Sequence, residues 1–173
     1  MTSRRPGLLL CALVPLALLA VGCGESTLAD PVPCATPTPL PPGTAGVSQT
    51  RQYLATARAA VDAIKKLRTD ERARYPDRSF SRNSDFRTQF AAYADASVCA
   101  AAALSELKPP TVALQSFDDS LDASLAQFID HMKFGREAVR KRNTTEYHQW
   151  FDGVDAKIDA FPAVPTVGRG FGP

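Results

Sequence analysis

Net charge, cysteine and long hydrophobic runs are all scarce in this sequence. The 173 residues carry 20 Lys and Arg against 18 Asp and Glu, a net charge of +2. Dedicated nucleic-acid-binding proteins usually have a strong basic excess, so no nucleic-acid partner is expected. Four cysteines are too few for a disulfide-dense miniprotein. The apolar run at residues 8–21 is shorter than the roughly 20 residues that span a bilayer as a helix.

Motifs for catalysis and cofactor binding are missing as well. The sequence has no CxxCH haem-attachment motif, no Gly-x-Ser-x-Gly nucleophile elbow and no glycine-rich phosphate loop. Neither of its two histidines, His131 and His148, has a glutamate three residues before it, so the Glu-x-x-His motif of di-iron bundles is absent. The two histidines could share a metal with a carboxylate, but exposed or capping histidines are commoner. We therefore expect no enzyme, no catalytic residue, no cofactor and no metal site.

The N-terminal residues have the pattern of an export signal. Arg4 and Arg5 precede the short apolar run, which ends in the sequence LAVGC at residues 19–23. This ending resembles the lipobox of bacterial lipoproteins. The resemblance implies that residues 1–22 are a signal peptide and that Cys23 is lipidated and becomes the mature N-terminus. The protein would then be exported and lipid-anchored to the cell membrane, at the outer face of a cytoplasmic membrane or in a periplasm.

Loss of the signal peptide changes the cysteine and charge inventory. Cys11 leaves with the signal, and the mature chain has equal numbers of basic and acidic residues. With Cys23 lipidated, Cys34 and Cys99 remain as a pair, and oxidising conditions outside the cell favour a disulfide between them. Residues 23–47 contain six prolines and are predicted to form an extended, semi-stiff tether.

From Ser48 onward, apolar residues recur at helical spacing. Proline after Tyr75 and the break at residues 107–110 separate the segments, while Ser48 and either Thr144 or Thr145 are the predicted N-caps. Short connections between amphipathic helices predict an all-α, antiparallel up-and-down four-helix bundle after a Pro-rich linker. The whole is similar to small bacterial lipoproteins with a helical-bundle domain, a resemblance that implies no activity. The predicted helices span about 49–75, 84–107, 111–142 and 145–161 within a bundle of residues 48–162, followed by a flexible tail at 163–173.

Two glycines mark one candidate site. A turn near residue 144 would place Gly135 and Gly153 at the same level of a helical hairpin, although each glycine costs its helix about 1 kcal/mol relative to alanine. One interpretation is close backbone approach beside Trp150 or Phe134. The alternative is a niche for a small ligand, bordered by the two glycines, His148 and Trp150, in a bundle that acts as a ligand- or metal-binding sensor or carrier.

Charge is distributed unevenly along the chain. Residues 48–90 carry ten basic and five acidic side chains, whereas residues 91–132 carry one basic and six acidic ones. Asp118, Asp119 and Asp122 in the second stretch suit the positive end of a helix dipole, because a calcium site needs a loop with fixed ligand spacing. The acidic stretch is therefore predicted to be structural.

A basic stripe marks a second candidate site. Four cations recur every seven residues on the first helix: Arg51, Arg58, Lys65 and Arg72. The stripe is either a solvated face with local pairs such as Arg58–Asp62 and Lys66–Asp70, or a surface that docks onto anionic lipid or an acidic partner. The predicted function is a membrane-anchored, non-catalytic binding or scaffold module with a protein partner in the cell envelope.

Overall fold

The computed structural model describes Cys34, residues 46–76 and residues 84–166. Within these ranges the chain forms four α-helices and no strand, and α2 packs on both α1 and α3 while α3 packs on α4. This confirms the predicted all-α four-helix bundle. None of the described helices is long and apolar enough to cross a bilayer. The signal peptide, Cys23, residues 24–33 and 35–45 of the predicted tether and residues 167–173 of the predicted tail lie outside the described residues. The helices are α1 (Val47–Arg74), α2 (Ser84–Ser105), α3 (Gln115–Arg140) and α4 (Thr144–Asp159).

Three helix starts differ from the sequence prediction. The N-cap of α1 is Gly46, and Ser48 lies inside the first turn instead of capping it. Residues 112–114 after the double proline form a 3₁₀ turn, so α3 begins at Gln115 and not near residue 111. The N-cap of α4 is Asn143, whose side chain accepts a hydrogen bond from the Glu146 backbone N–H at 3.2 Å. An asparagine at that position satisfies an otherwise orphan donor of the first turn, which neither threonine does.

The connection from α3 to α4 is short because its backbone closes on itself. Arg142 adopts a left-handed conformation with φ of 56°. Its backbone N–H donates to the Val139 carbonyl at 3.2 Å, and that of Asn143 donates to the Ala138 carbonyl at 2.9 Å. These two bonds satisfy the last carbonyls of α3 and reverse the chain into α4. The hairpin predicted near residue 144 is therefore present.

The core of the bundle is aromatic at its upper end, where α1 ends and α4 begins. Phe86 and Phe90 from α2 meet Tyr147 and Trp150 from α4, and the closest ring pair, Phe90 with Trp150, has a centroid separation of 4.6 Å in an edge-to-face arrangement. Such pairs contribute about 0.5–1.5 kcal/mol beyond the area they bury. Small residues in the core also let the helices approach one another closely. Ala57, Ala94, Ala101 and Ala138 are all completely buried.

A second apolar cluster closes the opposite end of the bundle. Tyr53 and Leu54 of α1 pack with Leu114, and Val164 from beyond α4 packs against them. The chain after α4 is also held by Arg58, which donates to the carbonyls of Val164 and Pro165 at 3.4 and 3.2 Å. Because α4 has 16 residues against 28 in α1, this segment covers an end of the bundle that α4 does not reach. The packed domain thus extends past residue 162, where the sequence prediction placed its end.

The predicted disulfide joins Cys34 to Cys99 in α2. Their Cα atoms are 5.0 Å apart, and the bond spans 65 residues of sequence. It fastens the chain before α1 to the middle of the bundle.

Loss of this disulfide should destabilise the domain. We expect Cys99→Ser to lower the free energy of unfolding by about 2–4 kcal/mol, because the unfolded chain regains the freedom that a closed loop removes. Urea unfolding followed by circular dichroism measures the difference. A reducing agent should lower the stability of the wild type to that of the variant and leave the variant unchanged. Equal unfolding curves for the oxidised and reduced wild type would contradict the expectation.

Candidate functional site

The first predicted site, the niche near the two glycines, is filled by side chains. A Cβ atom on Gly135 would lie 2.5 Å from Cγ and 2.7 Å from Nε1 of Trp150, and closer still to Cδ1. The indole therefore occupies the space that the missing side chain leaves. This is the close approach that the sequence offered as one of two interpretations, and it leaves no room for a ligand at Gly135.

Gly153 accommodates a histidine, and it is His131 and not His148. A Cβ atom on Gly153 would lie 2.9 Å from Cε1 of His131. The Nε2 atom of His131 lies 2.9 Å from the Trp150 carbonyl oxygen, so a proton on Nε2 is donated to that carbonyl. Burial lowers the pKa of His131, which favours its neutral form. Among the described residues, no group of three or more His, Cys, Asp or Glu side chains is placed to hold a metal ion.

The acidic residues at the start of α3 make structural contacts. Asp118 is buried and accepts a hydrogen bond of 2.5 Å from the Tyr53 hydroxyl of α1. Asp119 is exposed and accepts one of 2.8 Å from the Gln115 amide. Burial, reinforced by the neighbouring Asp118, raises the pKa of Asp122. The predicted structural role of this cluster fits these contacts, and Asp118 adds a direct link between α1 and α3.

A cleft between α1 and α4 brings several charged side chains together on the surface of the described domain. It has a volume of about 620 Å³. One wall is the cationic face of α1 and the other is the acidic end of α4, with Ile158 as the main apolar contribution. The lining residues are Lys65, Arg68, Thr69, Arg72 and Ala73 from α1, and Asp155, Ile158 and Asp159 from α4.

An ion-pair network spans the cleft. The Arg68 guanidinium donates from Nε to Oδ1 of Asp155 at 2.7 Å and from Nη2 to Oδ2 at 3.3 Å, and Arg72 donates from Nη1 to Oδ2 at 3.1 Å. The hydrogen bond from Arg68 holds the pKa of Asp155 below its usual value, against a smaller opposing effect of partial burial. Asp155 is thus an ionised bridge between two arginines of α1.

The guanidinium of Arg68 is also enclosed by aromatic rings. Its side chain is 7% exposed, and its Cζ atom lies 5.5 Å from the Trp150 ring centroid and 5.2 Å from that of Phe151. Glu71, one turn further along α1, is buried too, and burial raises the pKa of its carboxyl. Cation–π contacts and a bidentate carboxylate offset the cost of removing Arg68 from water.

The basic stripe on α1 divides between the cleft and the chain end. Lys65 and Arg72 line the cleft, whereas Arg58 binds the backbone of residues 164–165. Arg51 is exposed near the start of α1. Of the two predicted local pairs, Lys66–Asp70 forms, with 2.7 Å between Nζ and Oδ2. Arg58, of the other predicted pair, donates to the carbonyls of residues 164 and 165. Half of the stripe therefore faces α4.

Arg68 and Asp155, the central residues of the cleft, were missed by the sequence analysis. A signal for Arg68 was present, because the spacing of buried residues at Leu54, Ala57, Val61 and Ile64 continues in steps of four and three to Arg68 and Glu71. Charged residues at core positions mark places where a helix packs against polar groups. Asp155 has no comparable signal in the sequence. It follows the buried Val154 on α4 and does not stand at a core position of that helix.

No protein-family model, no curated protein and no solved structure matches this chain significantly, so the geometry of the cleft has to be interpreted on its own.

Alanine at the two glycines should have different effects. We expect Gly135→Ala to lower the free energy of unfolding by about 1–3 kcal/mol, because the added Cβ overlaps the enclosed indole. Gly153→Ala is the matched control, since the half-buried His131 ring can shift and the gain in helix propensity of about 1 kcal/mol offsets the crowding. Urea unfolding measures both variants. Equal stability of Gly135→Ala and the wild type would contradict the tight packing.

The ion pair across the cleft should stabilise the fold at neutral pH but not in acid. Asp155→Asn removes the carboxylate that is hydrogen-bonded to the buried Arg68 guanidinium, and we expect it to cost about 1–3 kcal/mol at pH 7. Because the hydrogen bond from Arg68 lowers the pKa of Asp155 in the folded protein, this difference should be fully present near neutral pH and shrink as acid protonates the wild-type carboxylate.

Thermal or urea unfolding of the wild type and Asp155→Asn between pH 2 and pH 7 measures this dependence. Asp70→Asn, which removes an exposed pair with Lys66, is the control and should change stability far less. A difference between the wild type and Asp155→Asn that does not depend on pH would contradict the assignment.

Proposed function

We propose that the protein is an exported lipoprotein, anchored in the membrane through Cys23, whose helical domain is a non-catalytic binding module. The observation that carries the exported location is the Cys34–Cys99 disulfide, because such bonds persist in oxidising compartments and are rare in a reducing cytosol. The location would be the outer face of a cytoplasmic membrane or a periplasm. The lipobox-like sequence at residues 19–23 supplies the anchor.

The position of the disulfide supports a tethering role. It attaches the chain 11 residues after Cys23, at Cys34, to α2, whereas α1 begins only at Val47. Eleven extended residues span at most about 40 Å, so the bundle would stay within that distance of the lipid. Without the disulfide, the free tether would be roughly twice as long. A binding module gains effective concentration at the membrane from a short tether.

The chemistry of the cleft favours binding over catalysis. A general base needs a pKa near the working pH, and two arginines hold the Asp155 pKa below its already low usual value. The Thr69 hydroxyl donates its proton to the Lys65 carbonyl at 2.9 Å, and a backbone carbonyl is too weak a base to activate it as a nucleophile. Fixed, ionised groups of this kind suit recognition of a charged partner. A protein of the cell envelope is the proposed partner.

The alternative function, a small-ligand or metal sensor with its site at the glycines, has less support. The space beside Gly135 holds the Trp150 indole, and that beside Gly153 holds the His131 ring. We therefore favour the surface cleft over the bundle interior as the binding site.

The anchor can be tested by lipid labelling. Cells that express the full-length protein and are fed labelled palmitate should yield a labelled, membrane-associated protein. Cys23→Ser should abolish the label, because the proposed acceptor thiol is gone. Cys11→Ser, which changes a signal-peptide cysteine, is the matched control and should keep the label. An unlabelled wild type, or label that survives in Cys23→Ser, would contradict lipidation.

The binding role is tested separately on the same material. Native mass spectrometry of the labelled protein in detergent should show a stoichiometric complex with a second protein. The labelled chain without any bound molecule would contradict the binding role and leave the anchor intact.

A further inference from the structure

The side of α1 beside α4 is polar, and it includes the buried Arg68. Lys65, Arg68, Thr69 and Arg72 follow the spacing i, i+3, i+4 and i+7, so they lie on the side of α1 that faces α4 across the cleft. A bundle that needed this interface only for stability would place apolar residues there, since a buried ion pair is often no more stabilising than hydrophobic packing. We therefore look for a role in binding that would explain the polar interface.

Arg68 is a fixed cation with unused donors. Its guanidinium has five N–H groups, of which Asp155 takes one on Nε and one on Nη2. No described residue accepts a hydrogen bond from Nη1. Trp150 and Phe151 hold the group in place, so little side-chain entropy remains to be lost when an anion binds. Arg68 thus lines the cleft with donors that Asp155 does not use.

Two further cations flank Arg68 on the same wall. Lys65 and Arg72 are exposed and lie about one turn before and after it on α1. Against these three cations, the α4 wall supplies two carboxylates, Asp155 and Asp159, and the buried Glu71 of α1 lies near Arg68 behind the lining. Part of the donor capacity of the α1 wall is therefore left for an anion from outside.

We propose that the α1–α4 cleft binds a phosphate group, with Arg68 as the fixed anchor and Lys65 and Arg72 as flanking donors. Three cationic side chains match the several outer oxygens of a phosphate, and Arg68 can contribute the N–H groups that Asp155 leaves unused. The phosphate is carried either by a soluble phosphorylated compound or by a phospholipid headgroup. This inference rests on the proposed binding role of the domain and does not require the lipid anchor.

The test is titration of the full-length protein, purified in neutral detergent with its disulfide intact. Isothermal titration calorimetry with inorganic phosphate is compared with sodium chloride at matched ionic strength. The wild type should bind phosphate. Lys65→Gln combined with Arg72→Gln should weaken binding at least about tenfold, because two charge-assisted hydrogen bonds are lost.

The matched control removes the same charge from the same helix outside the cleft. Lys66→Gln combined with Arg74→Gln should leave the affinity within about twofold of the wild type, since any effect is limited to screened, long-range attraction. Both double variants keep the Arg68–Asp155 pair, and circular dichroism verifies that they fold. Equal weakening in the two double variants would overturn the proposal.

A second titration distinguishes the two sources of phosphate. Short-chain phosphatidylglycerol, used below its micelle concentration, presents a phosphodiester headgroup. Binding of this lipid that is tighter than that of inorganic phosphate and sensitive to Lys65→Gln/Arg72→Gln would support a headgroup ligand. Tighter binding of inorganic phosphate with the same sensitivity would support a soluble phosphorylated ligand. Failure of both titrations while palmitate labelling succeeds would overturn the phosphate site and leave the anchored lipoprotein.

Discussion

Packing around Trp150 holds the four helices together. Its indole rests against Gly135 of α3, meets the Phe90 ring of α2 at 4.6 Å, and lies under the Arg68 guanidinium of α1. Trp150 itself belongs to α4, so one side chain links every helix of the bundle. The arrangement depends on glycine at residue 135, because any Cβ there would occupy the position of the ring. The core and the cleft therefore share a single anchor point.

The same side chain connects the core to the candidate site. Where α2, α3 and α4 meet, aromatic and small side chains bury one another, but α1 meets α4 through Arg68 and Asp155 instead. The ion pair lies in the cleft that separates the two helices here. Trp150 and Phe151 shield the inner side of Arg68, which makes its charge more effective on the outer side. The Arg68 guanidinium thus contributes both to the stability of the fold and to the proposed binding site.

The acidic and basic stretches of the sequence do not pair with each other as whole segments. Individual charged residues pair with the groups that helix packing brings close to them. Asp95 of the acidic stretch pairs with Arg136 of α3 at 2.7 Å, and both side chains are largely buried. Asp118 accepts its bond from the neutral Tyr53. The basic residues of α1 that line the cleft face Asp155 and Asp159 of α4. Three lining cations against two lining carboxylates are the basis for proposing an anionic ligand.

Local sequence determined the secondary structure of this protein, and only the tertiary structure decided its site. The apolar spacing and the prolines predicted four helices within a few residues, and the even count of mature cysteines predicted the Cys34–Cys99 bond, because these signals act over short distances or by elimination. The Asn143 cap was missed because several neighbouring residues could serve. The cleft could not be foreseen, since Arg68 and Asp155 are 87 residues apart and only helix packing brings their charges within 2.7 Å.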